Sequence, residues 1–321
     1  MALLNDLSQK LIFVVGKGGV GRTTVSASVA YHYAQKGEKV LLVQWALKDA
    51  VSPLYAQSAC SHKESNTPHH YKIMNFSASE AIREYFVEHL KMRLIYNVVI
   101  ENKHVQRLIH AAPGVQELFF LGRLFWLVEL AAVEKGYYYD KVIVDLPATG
   151  HGLSLFGIAP AVANLGMTGP LAYECERVNR LLMDQEKTGV IVVTLPEELP
   201  IEECFETIPK ITQQLQRPPL GIVVNQSVNI NIFPEMNFSE SELWYKNLFN
   251  SLNEKNAQTE LNLILSILHK KNICENHLTK WAQNYSDKIE KVIPVVSLPD
   301  LNILSHSASQ VEMIELLSHY F

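Results

Sequence analysis

Nine consecutive positions, Gly16-Lys17-Gly18-Gly19-Val20-Gly21-Arg22-Thr23-Thr24, combine four glycines, two cations and two hydroxyls. Glycines at these spacings let backbone N–H groups converge on phosphate oxygens. A helix that starts immediately afterwards, over Val25 to Gln35, directs its positive end at the same point. Thr23 stands where a hydroxyl ligand of Mg²⁺ belongs, and the spacing G-x-x-x-x-G-[K/R]-[ST] is satisfied with Arg22 in place of lysine. A glycine-rich turn without a ligand is the alternative. The second chemical grouping is Asp145-Leu146-Pro147-Ala148-Thr149-Gly150-His151. A carboxylate at a strand end facing a phosphate loop holds Mg²⁺ through water, and Asp145 fits that role. Thr149-Gly150-His151 reads as a flexible loop suited to sensing a γ-phosphate, or more plainly as a connecting loop with a capping threonine.

Those residues need a scaffold that presents strand ends. Short β-branched runs at Leu11–Val15, Val40–Trp45, Val142–Asp145, Val190–Thr194, Gly221–Asn225 and Val292–Val296 read as buried strands separated by helical patterns. Such alternation predicts an α/β fold with a doubly wound, mainly parallel sheet, whose sites lie at the carboxyl ends of the strands. Helical insertions are expected near 79–130, interrupted by Pro113-Gly114, and near 151–187 and 226–287. No feature forces a domain cut, so residues 1–321 read as one domain. Ser58 to Pro68 reads as an exposed loop with solvated histidines, although His62, His69 and His70 are candidate metal ligands. Val311 to Phe321 reads as a packed terminal helix because its charges are Glu312 and Glu315, unlike a basic membrane anchor.

Composition narrows the classes. The chain has 321 residues, 48% of them hydrophobic and 19% charged, which leaves ample material for a core. A net charge of −5 gives no general basic field, and no nucleic-acid partner is expected. No apolar run is long enough to span a bilayer, and Met1 to Lys10 lacks the pattern of a secretory signal. Cys60, Cys175, Cys204 and Cys274 form no C-x-x-C pair and read as reduced, partly buried thiols of a cytoplasmic protein.

Gly-Lys-Gly-Gly-Val-Gly-x-Thr-Thr resembles the deviant Walker A motif of arsenite-pump ATPases, tail-anchored-protein targeting ATPases, partition and division ATPases and nitrogenase iron protein. Asp145 to His151 resembles the switch II pattern D-T-A-P-T-G-H of the first two. Pro113-Gly114-Val115-Gln116-Glu117 and Val193 to Pro200 are similar to further segments of that family. The resemblance implies ATP and Mg²⁺ as ligands, with ADP and phosphate as products. It implies a dimer, homomeric or formed with a paralogue, that acts on a protein client. On this reading Gly16, Gly18, Gly19, Val20, Gly21, Arg22, Thr23 and Thr24 cradle the nucleotide, and Thr23 and Asp145 serve the metal. Lys17 is the signature lysine that reaches the partner's phosphates. Lys17, Arg22 and Asp145 carry the catalysis. Asn225 matches the place of an adenine-reading Asn, although an Asn ending a strand also serves turns. Leu298-Pro299 matches a loop packed on the base, which assigns Pro299 to the nucleotide.

Two departures bear on turnover. Arg22 is a planar fork where relatives carry a lysine point charge. Ala46 stands in Val40-Leu41-Leu42-Val43-Gln44-Trp45-Ala46 where relatives carry the water-orienting Asp of switch I. The first expectation is a nucleotide-gated dimer switch that hydrolyses ATP, slowed by these departures, and a hydrolysis-impaired regulatory subunit paired with an active paralogue is the second. No paired cysteines provide a bridging zinc or an iron–sulfur cluster. Leu153 to Met183, with Met167, reads as a core or dimer-facing helix pair rather than a client groove.

Overall fold

The computed structural model describes residues 7–46, 48–89, 114–136, 138–147, 149–163, 170–227, 257–300 and 309–321, together with 243, 246 and 247. Pro113, Ala148, Met167 and most of 226–256 lie outside the described residues.

The first strand, β1 (Leu11–Gly16), is wholly buried. Leu11, Phe13 and Val15 enter one core while Ile12 and Val14 enter the other. That split is what a strand covered on both faces requires. Helix α1 (Arg22–Gln35) follows, then β2 (Val40–Gln44). A short antiparallel pair, β3 (Ser65–Asn66) and β4 (Lys72–Asn75), comes next, and then α2 (Ala78–Glu84), which continues in a π-helical turn over Tyr85–His89. Helix α3 (Val115–Phe125) likewise runs into a π-helical turn, Trp126–Leu130, before α4 (Ala131–Lys135). The second half holds β5 (Lys141–Asp145), α5 (Thr149–Ala163), α6 (Pro170–Met183), β6 (Thr188–Thr194), α7 (Glu198–Leu215), β7 (Gly221–Ser227), α8 (Ala257–Ile289), β8 (Val295–Pro299) and α9 (Gln310–Ser318).

The eight strands form one sheet in the order β3-β4-β2-β5-β1-β6-β7-β8. Every pairing is parallel except that of β3 with β4. The α/β doubly wound sheet read from the sequence is therefore the observed fold. One core joins the odd-numbered side chains of β1 to Phe120, Phe156 and Ile208, with Phe13 and Phe156 meeting edge-on at 5.1 Å. The other lies under α1 and α9, around Val25, Val29, Ile314 and Leu317.

Four expectations need correction. The last strand begins at Val295, three residues later than read, because Pro294 cannot donate to a ladder; its carbonyl instead accepts from Ile222 N at 2.8 Å, and Val292 is left exposed. The β3–β4 pair was not anticipated, since only Ile73 and Met74 of β4 are buried and so short a run carries little pattern. His62 and His69 are buried rather than solvated. Lastly, the backbone of Thr149, Gly150 and His151 forms the first turn of α5 rather than a loop. Leu155 and Phe156 enter the core from this helix, and the turn before them carries the helical start. The terminal helix at Gln310–Ser318 packs as expected and opens with a full capping box between Ser309 and Glu312.

Candidate functional site

Strand order brings β1 and β5 together at the centre of the sheet, with Val14 in register with Asp145. The chain leaves β1 at Gly16, where any Cβ would run into Val193 O of β6; glycine is needed there for close backbone approach. The loop then exposes Gly18 and Gly19 and anchors itself by burying Val20. Gly19 and Gly21 hold left-handed conformations at φ 90° and 86°. Gly21 is the N-cap residue of α1, and that helix start has no side-chain cap and no acid in its first turn. Its leading N–H groups thus lack an internal acceptor, which is the local arrangement that favours an anion.

Arg22, Thr23 and Thr24 open α1 half-buried. Thr23 Oγ1 donates to Asp145 Oδ2 at 2.7 Å. Asp145 is buried, and burial pushes its carboxyl above the usual range, opposed by the Thr23 hydrogen bond and by the Arg22 charge. A buried carboxylate that neither the hydroxyl nor the guanidinium fully compensates is suited to a cation. The two oxygens are hard donors of the kind Mg²⁺ takes, so the residues present fit the metal. Arg22 Nη1 donates to Leu146 O, which directs at least part of the guanidinium at the end of β5.

Asn225, on β7, is buried and donates from Nδ2 to Val20 O at 3.0 Å. The side chain placed by resemblance against adenine here braces the phosphate loop. Pro299 ends the edge strand β8 beside Ser227, away from the loop in strand order. Lys17 Nζ pairs with Glu203 Oε1 of α7 at 2.9 Å. Glu203 escaped the sequence reading because nothing local marks it; only the fold joins it to Lys17.

Beside the site, Asn75 clamps Ala46 on both sides. Its Oδ1 accepts from Ala46 N at 3.1 Å and its Nδ2 donates to Ala46 O at 3.0 Å. Asp49 is fully engaged elsewhere. Its Oδ1 accepts from Val51 N at 3.0 Å, Ser52 N at 3.1 Å and Gln44 Nε2, and its Oδ2 accepts from Cys60 N at 2.6 Å. Burial alone would raise this carboxyl, but the bonds from Ser52, Gln44 and Cys60 outweigh it and hold the group far below its usual range. Asp49 therefore organises its own loop and does not stand in for a carboxylate at Ala46.

His62 accepts from Ser77 N at 3.2 Å and faces Glu84 at 3.3 Å, while Arg123 pairs with the same carboxylate at 3.0 Å. Its histidine thus serves an ionic tie between α2 and α3. No group of three or more His, Cys, Asp or Glu among the described residues has the arrangement of a metal site. The four thiols are unpaired by disulfides, and burial raises each of them, Cys204 to about 11. No helix among the described residues is long and apolar enough to cross a membrane.

A family model described as an anion-transporting ATPase matches residues 9–172, a span from the start of β1 through the phosphate loop, Asp145 and α5. ATPase BagA of Mycobacterium tuberculosis is 29% identical over 234 residues, covering 70% of this chain and 67% of its own length. An ATPase ASNA1 homolog of Plasmodium yoelii yoelii is 26% identical over 296 residues, covering 82% and 73%. A second, from Plasmodium falciparum, is 23% identical over 342 residues, covering 93% and 84%.

Proposed function

Since the chain belongs to the anion-transporting ATPase family, we propose that it binds ATP with Mg²⁺ and acts in the cytoplasm as a nucleotide-gated dimer switch, hydrolysing ATP to ADP and phosphate. One observation carries this reading: the Thr23 hydroxyl and the Asp145 carboxylate meet at 2.7 Å beneath an uncapped helix start and a glycine loop. Backbone N–H groups from Gly18 to Thr23 bind and orient the phosphates, and Thr23 and Asp145 hold the metal. When bound, Mg²⁺ neutralises charge on the phosphate oxygens. Lys17 reaches the nucleotide of the facing subunit. Asn225 keeps the loop in its binding shape and is the candidate for contact with the base, with Pro299 further out. A client protein, rather than nucleic acid or membrane, is the partner that the switch would serve.

A second reading has its own support. Ala46 offers no carboxylate, Asp49 is committed to its loop, and Arg22 bonds to Leu146 O. These favour a subunit that binds ATP, hydrolyses it poorly and pairs with an active paralogue. Titration of the purified chain with ATP and Mg²⁺, followed by phosphate release, tests both. Saturable binding with phosphate release above background supports the first reading, and binding at background turnover supports the second. No saturable binding removes both.

A further inference from the structure

Lys17 of the phosphate loop already has an anionic partner within its own chain. Its ammonium sits 2.9 Å from Glu203 Oε1, with the two side chains 38% and 40% exposed. Glu203 does not drift with it. Its helix, α7, is fixed by burial of Ile201 and Cys204 on either side of that residue and of Ile208 and Ile211 beyond it. The next residue but one, Phe205, stacks on Trp281 at 4.6 Å, and Trp281 stacks on Tyr285 at 5.0 Å, so α8 backs this turn of α7. Moreover, Glu203 Oε2 is shut off from solvent and accepts no hydrogen bond. A carboxylate with one oxygen shielded and unbonded relies on its ion pair for compensation. Lys17 therefore meets a rigid, under-satisfied anion, and the flexible four-carbon stem is the part free to move.

We propose that Glu203 is a resting dock for Lys17: it holds the ammonium within its own chain, in competition with the phosphates that the lysine would engage. This rests on the reading of Lys17 as a phosphate ligand. The carboxylate neutralises charge and occupies donors that the ammonium would otherwise offer to the phosphates of a second subunit. Docking thus competes with closure and biases the nucleotide-free chain toward the open state. An ion pair this exposed is weak, so the bias is modest, a two- to five-fold effect on closure at low salt and less at high salt. Glu203 is a positioning residue that acts through Lys17.

The test uses the purified chain with a fluorescent ATP analogue, and sedimentation with a slowly hydrolysed ATP analogue to report dimers. Glu203→Gln removes the charge, and Glu203→Asp shortens the reach. Each should strengthen analogue-driven dimerisation about two- to five-fold, with the gain shrinking in salt. On a Lys17→Ala background neither should have any effect, because the dock then has nothing to hold. If Lys17→Ala weakens dimerisation but Glu203→Gln leaves it unchanged or weakens it too, the dock is wrong while the role of Lys17 stands. If Lys17→Ala changes neither binding nor dimerisation, the phosphate role of Lys17 fails and the dock falls with it.

Discussion

Asn225 Nδ2 occupies the space that a Cβ on Gly21 would fill, and from there it donates to Val20 O at 3.0 Å. β7 thus props the phosphate loop across the intervening β6. Gly21→Ala meets two obstacles at once, the amide of Asn225 and a φ of 86°. It should destabilise the chain by about 1–3 kcal/mol and weaken ATP binding with it. Asn225→Ala leaves the Val20 carbonyl without its donor, at a cost of roughly 1–3 kcal/mol. Losing a prop should weaken ATP and GTP by similar factors. Titrating both nucleotides against Asn225→Ala checks this; a loss confined to ATP would instead show that the side chain reads the base.

The Thr23–Asp145 contact predicts a metal dependence. Thr23→Val and Asp145→Asn remove one oxygen donor or one charge from the same place and leave the glycine loop intact. Binding of a fluorescent ATP analogue should therefore lose its enhancement by Mg²⁺, by about ten- to a hundredfold. Binding in excess chelator should hardly change. Equal losses with and without Mg²⁺ would mean that the pair shapes the loop and does not serve the metal.

The parts of this site that were legible in the sequence are those whose chemistry is local. Gly16 to Thr24 is contiguous, Asp145 ends an apolar run, and a buried parallel strand betrays itself by unbroken β-branched residues. What escaped was made by the fold. Glu203 meets Lys17, and Asn75 meets Ala46, only after the sheet has closed. His62 in the polar stretch Ser58–Pro68 and His69 just after it look solvated, yet Glu84 faces His62 and Tyr31 stacks on His69 from elements outside that stretch. The start of β8 was misplaced because the β-branched pair Val292-Ile293 hides the break that Pro294 imposes. Thr149 to His151 reads as a loop suited to sensing a γ-phosphate, whereas its backbone opens the helix from which Leu155 and Phe156 enter the core.

The loop around Ala46 makes hydrolysis testable by gain of function. Asn75 bonds both the N–H and the carbonyl of Ala46, so its backbone is already held. Ala46→Asp adds a carboxylate to a fixed frame, and phosphate release should rise on the order of a hundredfold if a general base or water-orienting group is what is missing. Asp49→Asn should do something different. It weakens the acceptor for four donors in a buried loop, costing about 1–3 kcal/mol, with turnover per folded molecule unchanged. Turnover that fell with Asp49→Asn and stayed flat with Ala46→Asp would transfer the role to Asp49.

His69 gives the fold a pH dependence whose sign is fixed by its surroundings. The ring stacks on Tyr31 at 4.0 Å, Nε2 faces Glu315 of α9 at 3.1 Å, and Nδ1 is buried without a hydrogen-bond partner. Burial lowers its pKa first and His70 adds to that, while Glu315 opposes through its hydrogen bond and charge. The folded chain therefore favours neutral imidazole more than the unfolded chain does. The stabilisation this gives is complete above the ordinary histidine value of about 6.5 and is lost as pH falls from there through the lowered folded value. The affected contact is the docking of α9 on α1, where His32 also bonds to Ser318 O at 3.0 Å. Melting temperature should drop between pH 7.5 and pH 5, and His69→Gln should flatten part of that drop while lowering stability at pH 7.5. Parallel melting curves for the two proteins across that range would show that the histidine is neutral in its effect and that acid acts elsewhere.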